Sequence, residues 1–299
     1  MTGLDQSHSQ RVGLALALGV FLSWGLFPSY FKLLAEVPAI EVMSHRIVWS
    51  ALFMAVLLPL GGGIAAFRQA LRDPRVVGLI GLSALLIGIN WLTYVSTIAA
   101  GHVLEASLGY FLSPLTNVAL GRLVLGERLT RLQLAACLLA LSAVAALAFG
   151  TEGEIWRALV LAISFGLYGL VRKTVRVEAL PGNTLECFLL VPFAGLYLAW
   201  CATSGTNHFG GTMPGLSILL ALSGVITAVP LIAYAAAARR LKLSTLGLMQ
   251  FVTPTMAFLL GVLVYGEPFG RAKLVCFIVI WAALTLYARE TIRLARRPA

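Results

Sequence analysis

Ten stretches of this chain are each long and apolar enough to cross a bilayer, and that feature decides its solvent. About 20 residues of helix span the ~30 Å hydrocarbon core. The stretches 12–34, 39–60, 76–98, 103–125, 131–149, 154–175, 183–203, 214–237, 243–265 and 271–290 meet that length. Backbone inside hydrocarbon has to satisfy its own hydrogen bonds, so each stretch is read as an α-helix. Composition agrees: 60% of the 299 residues are hydrophobic and only 11% are charged, against about 25% charged in soluble domains. A soluble globular protein is excluded. So is disorder, because Pro, Gly and polar residues are scattered through apolar runs and never concentrated. The first stretch begins directly after Arg11 with no small-residue cleavage site, and is read as a retained helix.

The formal net charge of +10 raises the question of nucleic acid, which the placement of the basic residues answers. They occupy short gaps between apolar runs, as the positive-inside rule places them, and no basic face is gathered for phosphate. With the N-terminus inside, the cytoplasmic gaps and tail hold 17 Lys and Arg, and 5 fall elsewhere: Lys32, Arg46, Arg157, Arg271 and Lys273. Both termini are therefore expected in the cytoplasm. Cys137, Cys187, Cys201 and Cys276 lie in apolar segments with no CxxC pair, and are read as buried free thiols.

The chain repeats itself. Ser113-Pro114, Gly121 and Gly126-Glu127 recur in the second half, in the same order and at the same spacings, as Thr253-Pro254, Gly261 and Gly266-Glu267. Ser23, Gly25, Leu26, Phe27 and Lys32 recur in the same way as Ser164, Gly166, Leu167, Tyr168 and Lys173, at an offset only one residue longer. Each half, 1–150 and 151–299, then holds five helices. An odd number per repeat turns the second half over in the membrane, which predicts an inverted pair related by a pseudo-two-fold axis in its plane.

Ionisable and strongly polar residues within a span are costly, so they face the bundle interior or a water-filled cavity. In the second stretch Glu41, His45 and Trp49 share one helical face with Arg46 beside them. Glu41 can equally sit at the interface and Arg46 snorkel to it. In the third, Asn90, Trp91, Thr93, Tyr94 and Thr97 either wall a cavity or bond helix to helix. In the fourth, Glu105, Gly109, Ser113 and Asn117 recur at every fourth position. Pro114 there frees the carbonyl of Tyr110 from its usual bond. The matching strip in the ninth stretch holds Gly247, Gln250, Thr253 and Pro254, and paired helix breaks at Pro114 and Pro254 point to a midplane site. Glu186, Thr227, Pro230 and Tyr234 are weaker candidates. Trp24, Phe27 and Tyr168 either wall the cavity or belong to an interfacial aromatic belt. Glu127 and Glu267 fall at matching helix ends and are assigned to the turns, as structural or gating residues.

The chain carries no HExxH, GxSxG, P-loop or nucleotide fingerprint. Of its four histidines, His8, His45, His102 and His208, none has another within helical reach. No enzyme, metal or cofactor chemistry is expected from it.

Several blocks resemble a known family: His45-Arg46-Ile47-Val48-Trp49-Ser50, Leu86-Ile87-Gly88-Ile89-Asn90-Trp91 and Leu104-Glu105-Ala106-Ser107-Leu108-Gly109-Tyr110-Phe111. So do Tyr168-Gly169-Leu170-Val171-Arg172-Lys173, Leu243-Ser244-Thr245-Leu246-Gly247 and Tyr265-Gly266-Glu267. Across nearly its whole length the chain is similar to the RarD family of EamA-type permeases, within the drug/metabolite transporter superfamily. That resemblance implies ten helices in two inverted EamA repeats and a cavity opening alternately to each side. The family's label concerns chloramphenicol sensitivity, which suggests export of drugs or metabolites, and the family supplies no binding residues to carry over.

The expectation is thus an all-α multi-pass protein of the bacterial inner membrane, moving a small-molecule solute by alternating access. An uncoupled facilitator or exchanger is the main alternative, and a membrane-embedded enzyme or scaffold a lesser one. Glu105 is the expected coupling residue for a proton or other cation. Trp24, His45, Arg46, Asn90, Trp91, Tyr94, Glu105, Tyr110, Ser113, Asn117, Tyr168, Tyr234, Gln250 and Thr253 are the candidate substrate contacts. Gly-rich faces would serve either packing within the bundle or a homodimer.

Overall fold

The computed structural model describes residues 3–34, 36–99, 103–149, 155–211, 214–264 and 271–295, which form helices joined by short turns, with no strand among them. The helices are α1 (Gly3–Gly25), α2 (Phe27–Lys32), α3 (Ala39–Leu60), α4 (Ile64–Arg72), α5 (Pro74–Ala99), α6 (Val103–Leu123) and α7 (Arg131–Phe149). They continue as α8 (Ile155–Thr174), α9 (Ala179–Ser204), α10 (Pro214–Arg240), α11 (Leu243–Met249) and α12 (Val252–Leu259). A π-helical turn (Leu260–Val264) and α13 (Arg271–Ala295) close the series.

The outside of the bundle is apolar and its inside carries the polar groups, the reverse of a soluble protein. Leu52, Val56, Phe193, Leu196, Trp200 and Ile218 stand exposed, whereas Glu41, Arg46, Asn90, Asn117, Arg172 and Glu186 are buried. Lipid is the solvent that fits such a surface. Among the described residues five helices are long and apolar enough to cross a membrane by length and composition: His8–Lys32, Ala39–Leu60, Pro74–Thr97, Ala179–Ser204 and Pro214–Arg240.

Helix starts repeat at a fixed distance. Ala39 and Ala179, Pro74 and Pro214, and Arg131 and Arg271 each open a helix, and the separation within each pair is the same. The slightly longer offset of the first helix is explained by one extra residue between Lys32 and Ala39 compared with Lys173 and Ala179. Packing repeats as well: α1 lies on α10 and α12, and α3 on α9 and α10. Likewise α5 lies on α8 and α9, α6 on α8 and α11, and α7 on α13.

Two breaks interrupt this regularity, both caused by proline. Pro28 has no N–H to give to the Trp24 carbonyl, and the first helix breaks at Leu26. Pro254 leaves the Gln250 carbonyl free in the same way, the chain turns at Gln250-Phe251, and the Thr253 N–H takes that carbonyl at 3.1 Å. The two breaks touch each other: the Thr253 hydroxyl donates to the Phe21 carbonyl at 2.9 Å, and Gly25 packs against Met256. The matching break expected at Pro114 does not form. Helix α6 runs unbroken through it, supported by α11, which Gly247 allows against the Pro114 carbonyl. The pair of broken helices is therefore the first and the ninth, not the fourth and the ninth.

The two ends of the bundle differ. One gathers α4, the turns at 124–130 and 175–178 and the start of α11. Its basic residues include Arg68, Arg72, Arg75, Arg128, Arg176 and Lys242. Helix α4 has no counterpart among the ten apolar stretches; it lies across this end against α9, with Phe67 edge-on to Phe188 at 5.9 Å. The opposite end is covered by residues 205–211, a strap whose Phe209 packs with Val37, Val42, Leu216 and Leu220.

A candidate substrate site with two buried charges

Close helix approach is what brings the polar side chains together. At Gly224 a side chain would run into the Trp49 and Ser50 backbone of α3 at 2.4–2.6 Å, and the Ser50 hydroxyl donates to the Gly224 carbonyl at 2.9 Å. Glycine thus lets α3 and α10 touch backbone to backbone. Gly25, Gly109, Gly166 and Gly247 likewise allow close approach to a neighbouring helix.

Beside that contact sits Arg46, a cation only 5% exposed. Its Nε donates to the Thr227 hydroxyl of α10 at 2.8 Å. Aromatic rings surround the guanidinium: Trp91 at 4.6 Å, Phe31 at 5.2 Å and Phe27 at 5.9 Å from its carbon to the ring centroids. Tyr94 and Tyr110, with centroids 5.2 Å apart, and Tyr30 complete the surroundings. Each ring face offers negative π density, worth about 0.5–2 kcal/mol. That is less than the cost of a charged arginine at a helix centre in the membrane, about 2.5–3.5 kcal/mol on insertion scales and more in simulations. Among the described residues no carboxylate lies within ion-pair distance of Arg46.

The acids near it in sequence are occupied elsewhere. Glu41 is fully buried and holds the strap: the His208 N–H donates to its Oε1 at 2.8 Å, and the His208 ring Nδ1 lies 2.7 Å from its Oε2. Phe209 then stacks on His45 at 5.0 Å, and neither ring nitrogen of His45 has a hydrogen-bond partner. Glu105, the expected coupling residue, has its side chain outside the described residues, and Glu267 lies outside them altogether.

A second cluster sits towards the basic end around Glu186, 2% exposed. The Ser83 hydroxyl of α5 donates to its Oε1, and the Tyr168 hydroxyl of α8 to its Oε2 at 3.4 Å. Arg172 is the cation that faces it. Tyr168 stacks on Tyr234 at 5.8 Å, and Trp24 and Phe165 close the aromatic group. Several polar atoms here are buried without a partner: both amide atoms of Asn183, the Tyr234 hydroxyl, and Nε and Nη1 of Arg172. Buried polar groups without partners are expensive, so the cluster suits water or a polar ligand.

The two clusters are counterparts. Arg46 and Glu186 are each the eighth residue of a helix, α3 in the first half and its repeat α9 in the second. Each reaches a hydroxyl on α10 or α5, which are themselves a repeat pair. One position holds a cation and its counterpart an anion.

The remaining sequence candidates tie helices together. Asn90 donates to the Leu161 carbonyl and the Ser164 hydroxyl of α8 at 2.8 and 3.0 Å. Ser113 bonds back to Gly109 in its own helix at 2.9 Å, and Asn117 donates to Gln250 at 3.0 Å. Of the sequence list, Arg46, Trp91, Tyr94 and Tyr110 meet in one place and Trp24, Tyr168 and Tyr234 in the other, while His45 packs under Phe209 of the strap. Sequence reasoning passed over Tyr30, Phe31, Ser83, Arg172 and Asn183 and left Glu186 marginal. The offset of the repeat, applied to Arg46, lands on Glu186 and would have found it.

Glu127 is a clamp on the turn before α11, as its place at a helix end suggested. Its carboxylate accepts the Leu243 N–H at 2.7 Å, the Ser244 N–H at 3.1 Å and the Ser244 hydroxyl at 2.5 Å. Lys173 bonds the Leu241 carbonyl and, at 3.3 Å, that of Ala238, closing the preceding helix end.

Residues 11–149 match the model of the EamA-like transporter family. Protein RarD of Escherichia coli (strain K12) is 44% identical over 289 residues, 96% of this chain and 97% of that protein. An uncharacterized transporter of Vibrio cholerae is 43% identical, covering 97% and 95%. The chloramphenicol-sensitive protein RarD of Pseudomonas aeruginosa is 32% identical, covering 96% and 97%. A crystal structure 18% identical in sequence has a TM-score of 0.72, covering 97% of this chain and 99% of its own, and so shares the fold.

Proposed function

The chain belongs to the RarD family of EamA-like transporters, and from that premise we propose a secondary transporter that exports a small metabolite or drug-like solute by alternating access. It is a multi-pass protein of the bacterial inner membrane. In this reading ten helices cross the bilayer, two inverted halves meet at residue 150, and both termini lie in the cytoplasm at the basic end. The first and ninth crossings are the broken ones.

One observation carries the reading: exchanging the halves leaves the main helix pairing unchanged. The contact of α1 with α10 becomes that of α8 with α5, α3 with α10 becomes α9 with α5, and α6 with α8 becomes α11 and α12 with α1. The contacts of α3 with α9, α7 with α13 and α6 with α11 map onto themselves. Two halves packed alike from opposite sides can rock about a site between them. At the outer end the strap held by Glu41 covers His45; at the inner end Glu186 and Arg172 draw α9 onto α5 and α8. Opening one cluster while the other stays closed is the cycle. Glu105 is retained as the site of the coupling proton, a role in which protonation removes the charge before the buried step.

The test uses everted vesicles carrying the protein, with chloramphenicol and a set of amino acids and nucleosides as labelled solutes. Accumulation driven by an imposed pH gradient and abolished in Glu105→Gln, with the variant still folded, is expected. Counterflow without any response to the gradient would replace coupled export by facilitated exchange, and wild-type rates in Glu105→Gln would remove that residue from coupling.

A further inference from the structure

We propose that the transported solute is an organic anion, held by its charge on Arg46 and by its apolar body in the cavity beside it. This rests on the transporter reading and names the substrate class of that same site.

Arginine stays ionised under all ordinary conditions, so burial in an apolar bundle leaves a full positive charge to be balanced. The rings of Trp91, Phe31 and Phe27 cover the guanidinium, and Thr227 takes its Nε edge. Among the described residues nothing negative answers it, and no acceptor reaches its two Nη nitrogens. The Nη edge is the side of a guanidinium that receives a carboxylate or phosphate through two parallel hydrogen bonds. A membrane-embedded cation of this kind marks a substrate pathway. The rings approach the guanidinium carbon to 4.6–5.9 Å, and its Nη nitrogens are the donors that no described residue takes.

The space for the rest of such a ligand adjoins the cage. An open pocket of about 380 Å³ between α1, α2 and α10 shares Phe27 and Tyr30 with the cage, though not Arg46 itself, and is otherwise lined mostly by apolar groups, of which Leu26 and Val229 are exposed at its mouth. It lies at the Pro28 break. An anionic head on Arg46 with an apolar or aromatic body against Phe27 and Tyr30 fills both. Among the described residues nothing else would answer the Arg46 charge when a neutral or cationic solute is bound.

An anionic head is also found on lipids, so the experiment separates the two sources. Purified protein in a neutral maltoside is titrated with sodium benzoate, benzyl alcohol, sodium phosphate and phosphatidylglycerol micelles. The readouts are the thermal midpoint and tryptophan fluorescence, since Trp91 lies 4.6 Å from the guanidinium. Saturable benzoate binding is expected, with benzyl alcohol far weaker and affinity falling at least ~10-fold in Arg46→Gln. Thr227→Val, which keeps the charge and removes only the Nε partner, should lose a smaller factor and guards against a folding defect in Arg46→Gln. Equal binding of benzyl alcohol, or no response to any of the anions in folded wild-type protein, overturns the proposal. So does a response to phosphatidylglycerol that benzoate cannot displace, which assigns the charge to lipid. Benzoate binding that depends on Arg46 without transport in vesicles would leave the anion site standing and remove the transporter reading. Transport unaffected by Arg46→Gln would do the reverse.

Discussion

A single buried charge in a bilayer constrains its neighbours more than any apolar side chain does, because it can be neither left bare nor moved. Arg46 and Glu186 meet that constraint differently. Arg46 receives rings and one hydroxyl, with no carboxylate near it among the described residues; Glu186 receives hydroxyls from Ser83 and Tyr168 and a facing cation in Arg172. Among the described residues the Glu186 group is thus the more nearly self-sufficient. Removing one partner should expose the cost of the other. Ser83→Ala leaves the buried Glu186 Oε1 without its donor and is expected to destabilise the protein by about 1–3 kcal/mol, read as a lower thermal midpoint in detergent. Asn183→Leu should be far milder, since both amide atoms of Asn183 are already without partners.

At the scale of elements, the turns carry specific polar bonds as the spans do. Helix α11 is only 7 residues long, and its first two N–H groups are capped by Glu127 from the turn between α6 and α7. A side-chain cap contributes about 0.5–2 kcal/mol, and here it also fixes the tilt of a segment that ends at the Gln250 break. Glu127→Ala is therefore expected to cost about 1–2 kcal/mol and to speed hydrogen exchange at Leu243 and Ser244 more than elsewhere; exchange unchanged at those amides would refute the clamp. Helix-to-helix approach depends equally on glycine. Gly224→Leu drives a branched side chain into the α3 backbone beside Trp49 and Ser50. Overpacking of about 1–3 kcal/mol or more follows, and the variant should separate α3 from α10 and lose the Arg46–Thr227 bond.

At the scale of the whole molecule, the segregation of basic residues to one end gives a direct topological test. Cys137, Cys187 and Cys201 are buried and Cys276 is half-buried, so an added surface cysteine stands out against a low background. With an impermeant thiol reagent on whole cells, Thr206→Cys in the strap should label and Arg72→Cys in α4 should not; in everted vesicles the pattern should invert. Labelling of both from one side would overturn the placement of the termini.

Much of the fold was legible in the sequence because the membrane reduces the problem to length and polarity. A helix of fixed rise has to cover a fixed thickness, so the helices at 39–60, 74–99 and 179–204 announced themselves by composition, and the repeat by its spacing. Helix α4 was passed over because at 9 residues it is far too short to cross. The side chains that meet were less legible. Trp91 and Tyr94 lie on the same α5 as Asn90, yet only packing sets Trp91 over Arg46 while Asn90 bonds α8. Tyr30, Phe31 and Thr227 join the cage from α2 and α10, far away along the chain, and no periodicity within one helix records such a meeting. Proline shows the same division: its chemistry is local, but whether α6 breaks at Pro114 or runs through it depended on α11 packed against it. Helical rise, bilayer thickness and side-chain polarity were enough to mark the apolar helices and their repeat, because each of those quantities is read within one stretch of chain. Which buried charge finds a partner among the described residues, and which does not, was decided only when the helices packed, because compensation depends on distances between residues that the chain keeps far apart.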